Sequence, residues 1–183
     1  MGKEALVVGG SGMLAEVSRW LARTGYHVTV IGREQSRLDR VAEESDTPGS
    51  FTMLALDYRD TEALKQAVSD LVRHRGPVDV VVAWIHGTAP DALAAIQREL
   101  MGQKKEWLLF HVCGSRAWIQ PPAVEEIAYC RYRRVILGFV TDAQSSRWLT
   151  HSEISRGVIR AMQTDEPLSI VGTVEPWERR PTE

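Results

Sequence analysis

A chain of 183 residues, 44% hydrophobic and 25% charged, is long enough for one buried core and short for two, so a single globular domain is expected. Its formal charge of -2 supplies no basic field to collect nucleic acid, and its longest apolar runs, "VDVVVAWI" and "WLLFHVC", fall far below the roughly 18 residues of a membrane span. The N-terminus reads straight into a strand, and Cys113 and Cys130 show neither metal-ligand nor C-x-x-C spacing; the expectations are a cytoplasmic protein with reduced, packing thiols and no metal.

In chain order, short apolar runs recur at Ala5 to Val8, Val28 to Ile31, Phe51 to Leu56, Val78 to Trp84, Trp107 to Cys113, Val135 to Val140 and Leu168 to Val171. Most are Val, Ile and Leu without polar alternation, as expected of strands covered on both faces. Amphipathic segments lie between them: Met13 to Arg23 stops at Gly25, Thr61 to Arg75 stops at Gly76, and another helix is expected from Pro90 to Leu100. Thr150-His151-Ser152-Glu153 reads as a capping box opening a helix that ends near Met162. This alternation predicts an α/β fold, a doubly wound parallel sheet of about seven strands in the order 3-2-1-4-5-6-7, over residues 1–175. The polar, proline-bearing tail over 176–183 is expected to be loose or docked on a neighbour.

The first strand runs directly into Gly9-Gly10-Ser11-Gly12-Met13-Leu14 and then a helix. Glycine permits positive φ and close approach of backbone N–H groups to a pyrophosphate, and the helix start adds partial positive charge. The Ser11 hydroxyl can add a donor. The turn therefore predicts nucleotide binding, although its spacing is not G-x-G-x-x-G and a tight strand-to-helix turn would use the same residues. After the second strand, "IGREQSRL" places Arg33 and, one helical turn on, Arg37 where a dinucleotide-binding protein meets the adenosine ribose. Arginines there pair with the 2′-phosphate of NADP; Glu34 keeps the 2′-hydroxyl of NAD open as the alternative.

With these features the chain resembles the short-chain dehydrogenase/reductase family, especially atypical members with G-G-x-G turns. The order of elements agrees over most of the chain, while the specific motifs lie mainly in the first 60 residues. The resemblance implies a Rossmann-type fold and a nicotinamide cofactor. It assigns Asp57 to the adenine amino group with Tyr58 beside it, although the acids of "DYRDTE" also suit helix capping. Where most members carry Asn-Asn-Ala-Gly, this chain has "VVAWIHG", so Ala83 and Trp84 are expected along the cofactor and His86 is a candidate acid or base, or a structural histidine. Gly138, Phe139 and Val140 in "VILGFVTD" resemble the backbone segment that receives the nicotinamide carboxamide; a simple strand end is the alternative.

Ser115, closing "HVCGS", coincides with the family's substrate-orienting serine or caps a loop. The family's Tyr-x-x-x-Lys helix is missing, because only 18 residues, Arg116 to Arg133, separate Ser115 from the arginine-led approach to the next strand. Tyr129 lies 14 residues after Ser115, followed four residues on by Arg133, which cannot shuttle a proton as lysine does. Tyr129 is thus a candidate proton donor or a residue packed beside the sheet. The reading is an NADP-dependent oxidoreductase acting on a small carbonyl or related compound. The alternatives are a noncatalytic NADP-binding sensor or regulatory protein and a site for another phosphate-bearing ligand. The family resemblance also implies a homo-oligomer, a dimer before a tetramer.

Overall fold

The structure is a computed structural model that describes residues 2–182. Seven parallel strands form one sheet in the order β3-β2-β1-β4-β5-β6-β9, as the alternation of elements predicts. They are β1 (Lys3–Val8), β2 (Tyr26–Gly32), β3 (Phe51–Ala55), β4 (Val80–Trp84), β5 (Trp107–Gly114), β6 (Cys130–Leu137) and β9 (Leu168–Val171). On one face lie α1 (Ala15–Arg23), α2 (Gln35–Glu43) and α5 (His151–Thr164), packed over Val7, Val30, Val82, Phe110 and Val135. On the other, α3 (Thr61–Arg75) and α4 (Ala92–Leu100) cover Leu6, Val8, Ile31, Val81 and Leu109. Consecutive strand residues feed opposite cores, which is why these runs show no polar alternation.

Helix ends follow their side chains. Asp60 accepts from the Ala63 amide at 3.0 Å to open α3, which closes at Gly76 with φ 98°. At α5, the Glu153 amide donates to Thr150 Oγ1 at 3.2 Å and the Thr150 amide donates to Glu153 Oε2 at 2.8 Å, the reciprocal pair that the sequence announces. Arg147 donates twice to the same Glu153 carboxylate and, with these bonds, holds its pKa at about 2.

One segment departs from expectation. The sixth strand does not run from Val135 to Val140: it begins at Cys130, in register with Trp107 of β5, and ends at Leu137. Gly138 breaks it, because a Cβ there would lie 2.0 Å from the Thr173 carbonyl oxygen. Phe139 then exchanges two 2.8 Å backbone bonds with Thr173, and the chain leaves as a hairpin of β7 (Phe139–Thr141) and β8 (Ser146–Trp148). The β5 to β6 crossover holds only a 3-10 turn, Ser115–Trp118, and extended chain.

The tail lies against its own chain. Arg180 Nε donates to Ser115 Oγ at 2.9 Å, and its guanidinium sits 4.7 Å from the Trp148 ring centroid and 5.5 Å from that of Trp177. Among the described residues no helix is long and apolar enough to cross a membrane.

Candidate nucleotide site

Val8, Ile31 and Ala83 stand level in register, so β1, β2 and β4 open together at the carboxyl edge of the sheet. The glycine turn sits over this edge, and its glycines do different work. Gly9 has φ 77°, and a Cβ would lie 2.7 Å from the Trp84 carbonyl oxygen, so the turn passes close under the end of β4 only as glycine. Gly10 is buried beneath the turn, where a Cβ would meet Val7 Cγ1 at 2.6 Å and Ser18 Oγ at 2.9 Å; its role is to bring α1 against the sheet. Gly12 has nothing within 4 Å of a Cβ position and opens onto the groove.

Two serines hold the turn from behind: Ser18 Oγ donates to the Leu14 carbonyl at 3.3 Å, and Ser155 Oγ of α5 donates to the Met13 carbonyl at 2.7 Å. No side chain caps the start of α1, since Leu14 at the N-cap is buried and apolar. The helix start is thus left to interact with what occupies the groove.

The groove has a volume of about 500 Å³. Gly9, Ser11, Gly12 and Met13 form one wall; Gly32, Arg33, Glu34 and Arg37 follow β2; Asp57, Tyr58 and Arg59 follow β3; Trp84, His86 and Thr88 follow β4; His151 contributes from the start of α5. The β3 and β4 loops are tied where the His86 amide donates to Tyr58 Oη at 3.2 Å. Arg59 Nε donates to both Asp57 oxygens, at 3.0 and 2.9 Å, and this clasp, with the Arg59 amide and the charge of Arg33, brings the Asp57 carboxyl to about 2. Arg37 pairs with Glu34 at 3.0 Å. Arg33 is exposed and makes no contact ion pair among the described residues; the Asp57 carboxylate feels its charge but is clasped by Arg59, so the Arg33 guanidinium keeps its donors free at this end of the groove.

The structure therefore gathers Gly9, Ser11, Gly12, Met13, Arg33, Arg37, Asp57, Tyr58, Trp84 and His86 around one groove. Gly10, Leu14 and Ala83 are buried beneath it and support its shape. Gly138, Phe139 and Val140 form the junction of β6, β7 and β9 outside the groove lining, with Phe139 fully buried. Ser115 lies at the carboxyl edge of the sheet, but its hydroxyl accepts from Arg180 and does not line the groove.

Tyr129 corrects the sequence expectation most clearly. It precedes β6, and its carbonyl accepts from the Trp107 amide at the start of β5, so it stands at the amino edge of the sheet. Trp84 is level with Val135, six residues further along β6, which places Tyr129 roughly 20 Å from the groove end of the strands. Its 57% exposure and φ of 65° describe a surface turn residue.

Sequence reasoning missed Gly32, Arg59, Thr88 and His151. A Cβ on Gly32 would lie 2.7 Å from Ser11 Oγ, so this glycine gives room to the turn. Arg59 had a signal, its place two residues after Asp57; His151 had none beyond its capping box.

The model of the short chain dehydrogenase family matches residues 3–97, from β1 into α4. The chain belongs to this family. Over 98 residues it is 32% identical to an uncharacterized oxidoreductase, UxuB, of Bacillus subtilis (strain 168), covering 52% of this chain and 35% of that protein. Over 83 residues it is 36% identical to a short chain dehydrogenase of Pseudocercospora fijiensis (strain CIRAD86), covering 44% of this chain and 27% of the other. The matched stretch thus spans about a third of these relatives.

Solved structures share the fold over nearly the whole chain. The citronellol catabolism dehydrogenase AtuB of Pseudomonas aeruginosa PAO1 superposes with a TM-score of 0.67 at 19% identity, covering 92% of each chain. A short-chain dehydrogenase/reductase of Brucella melitensis, described as a glucose/ribitol dehydrogenase, gives 0.72 at 12% identity, covering 93% of this chain and 94% of that one. Family membership implies a nicotinamide dinucleotide, and the glycine cradle, uncapped helix start and 500 Å³ groove suit one.

Proposed function

We propose that this protein is an NADP-dependent short-chain reductase acting on a small carbonyl compound. The observation that carries the cofactor choice is Arg33, exposed on the groove with no contact ion pair, beside the arginines Arg37 and Arg59. A 2′-phosphate adds an anion where three arginines meet two carboxylates, and guanidinium pairs with it through two donors. Ser11 and the turn amides hold the pyrophosphate, and Asp57, kept ionised by Arg59, accepts from the adenine amino group. Bound NADPH supplies a hydride to the carbonyl carbon. A proton must reach the carbonyl oxygen, and we assign its delivery to His86, which follows β4 and lines the groove. Tyr129, at the opposite edge, takes no part.

Titration of the purified protein with NADPH, NADH and ATP, alongside Arg33→Ala, tests the cofactor choice. NADPH is expected to bind tighter than NADH, and Arg33→Ala to weaken NADPH by roughly 10-fold or more while leaving NADH little changed. Equal binding of NADPH and NADH, or no loss on mutation, overturns it. Turnover is tested by NADPH oxidation against a panel of aldehydes and ketones with His86→Ala; full activity in that variant removes His86 as the donor.

A second reading is a noncatalytic NADP-binding sensor, favoured by the engagement of Ser115 with Arg180. Tight NADPH binding without oxidation across the panel decides for it. A cytoplasmic location and a dimer accompany both readings; Leu168 and Ile170, 45% and 39% exposed on the edge strand β9, give apolar surface for a second copy, and the mass in solution checks this.

A further inference from the structure

The β5 to β6 crossover has no α-helix, and between its loop and α4 lies a cavity of about 180 Å³. Ile85 and Pro90 after β4, Leu93 and Ala94 of α4, and Ala123 and Val124 of the crossover make most of its walls apolar. An apolar cavity of about 150 Å³ holds benzene, so this one takes a small ring or a short branched chain.

The polar group at this cavity is arranged by the sheet behind it. His111 of β5 lines the cavity and is 9% exposed. Its Nδ1 lies 2.8 Å from Tyr132 Oη, and Arg134 Nε donates to the same oxygen at 3.3 Å. Arginine only donates, so the arrangement that pairs the phenolic hydrogen within the protein has Tyr132 donating to Nδ1 and the imidazole hydrogen on Nε2. Nε2 has no protein partner among the described residues. Burial, reinforced by the charge of Arg134, brings the His111 pKa down to about 4, so the ring is neutral at physiological pH. Nε2 is not among the fully enclosed unpartnered atoms, so it opens to the cavity and can donate to a ligand oxygen that enters it. Glu125 also lines the cavity, its carboxylate exposed and 3.8 Å from Arg98 Nε and its carbonyl accepting from the Gln97 amide at 3.0 Å.

We infer that this cavity binds a small neutral molecule through a carbonyl oxygen that accepts from His111 Nε2–H, with its hydrocarbon part against the apolar walls. His86 lines both this cavity and the nucleotide groove. On the reductase reading, on which this further step rests, the cavity is the compartment of the carbonyl substrate.

The test is titration of the full chain, without nucleotide, with benzamide, toluene and benzoate, followed by NMR of the histidine ring nitrogens. Benzamide is expected to bind saturably, to shift the His111 Nε2–H resonance, and to bind tighter than toluene or benzoate. His111→Phe keeps a ring and removes the donor; it should weaken benzamide by roughly 3- to 10-fold and leave toluene unchanged. Ala123→Leu, on the crossover loop, should abolish binding of both and decides the matter if His111→Phe does not fold. No benzamide binding, toluene or benzoate as tight as benzamide, or benzamide binding indifferent to either variant overturns the inference. NADPH titration of the same samples separates the two readings: NADPH binding without benzamide binding rejects only the cavity, and the reverse rejects only the nucleotide assignment.

Discussion

From β1 to α4 each strand passes into an α-helix, and the groove is shaped by backbone: glycines where a Cβ has no room and a helix start without a side-chain cap. From β5 onward the crossover to β6 has no α-helix, a hairpin follows Gly138, and a tail residue holds the serine at the sheet edge. The family match, residues 3–97, covers the first region and stops inside α4. The groove rests on many backbone positions that tolerate little change, whereas the proposed carbonyl chemistry rests on a few side chains. The family match and the glycine groove thus coincide in the first region, and the second is built by contacts between distant parts of the chain.

The largest effect that would break this contrast is at Gly10. Gly10→Leu drives a side chain into Val7, Ser18 and Val30, and we expect a loss of about 3 kcal/mol and a fall in thermal midpoint of roughly 6–12 °C. Gly12→Ala, with open space at its Cβ, should stay within about 0.5 kcal/mol. Similar thermal midpoints for the two would show that the turn is not backbone-constrained.

The second region carries the next largest effect, through pH. As pH falls below 6.5 the unfolded His111 ring takes up a proton that the folded ring refuses until about 4, so stability declines across that window. The decline should approach about 3 kcal/mol and flatten in His111→Phe, leaving the part due to His27, whose pKa is also lowered by burial. Denaturant melts at several pH values measure it; an unchanged slope in His111→Phe would remove the histidine from the account.

A smaller effect belongs to the tail. Arg180→Ala frees the Ser115 hydroxyl and removes the guanidinium from Trp148 and Trp177, and should cost about 1 kcal/mol with a change in tryptophan emission. If Ser115 serves the reaction, carbonyl reduction in this variant rises; unchanged turnover assigns the serine to structure. The smallest effect is expected at Tyr129→Phe, which should leave NADPH binding and any turnover unaltered. A loss of activity there would contradict its place at the amino edge of the sheet.

The first region was largely legible because its determinants are local. Apolar runs marked β1, β2 and β4 where both faces are buried, α3 was bounded by Thr61 and Gly76, and the glycines lay in one continuous stretch. The start of β6 was hidden because "CRYRR" reads as polar, yet its arginines reach out of the sheet: Arg131 and Arg133 both bind Asp165, beyond the end of α5. The end of β6 was hidden because Gly138 answers to Thr173, 35 positions away, and the state of Ser115 because its partner is Arg180. Likewise, nothing local ties His111 to Tyr132; their meeting requires the pairing of β5 with β6. What escaped the sequence is contact between residues far apart in the chain.

The bond from Ser155 to the Met13 carbonyl has a consequence for how the protein comes into being. It joins positions 142 apart, and around it Ile154, Val158 and Ala161 of α5 share a core with Leu14 and Val17 of the glycine turn and α1. A growing chain that has emerged only as far as α4 holds every residue of the family match but leaves that apolar face of α1 bare. The glycine turn therefore receives its full brace only after the 142 positions that separate Met13 from Ser155 have been made.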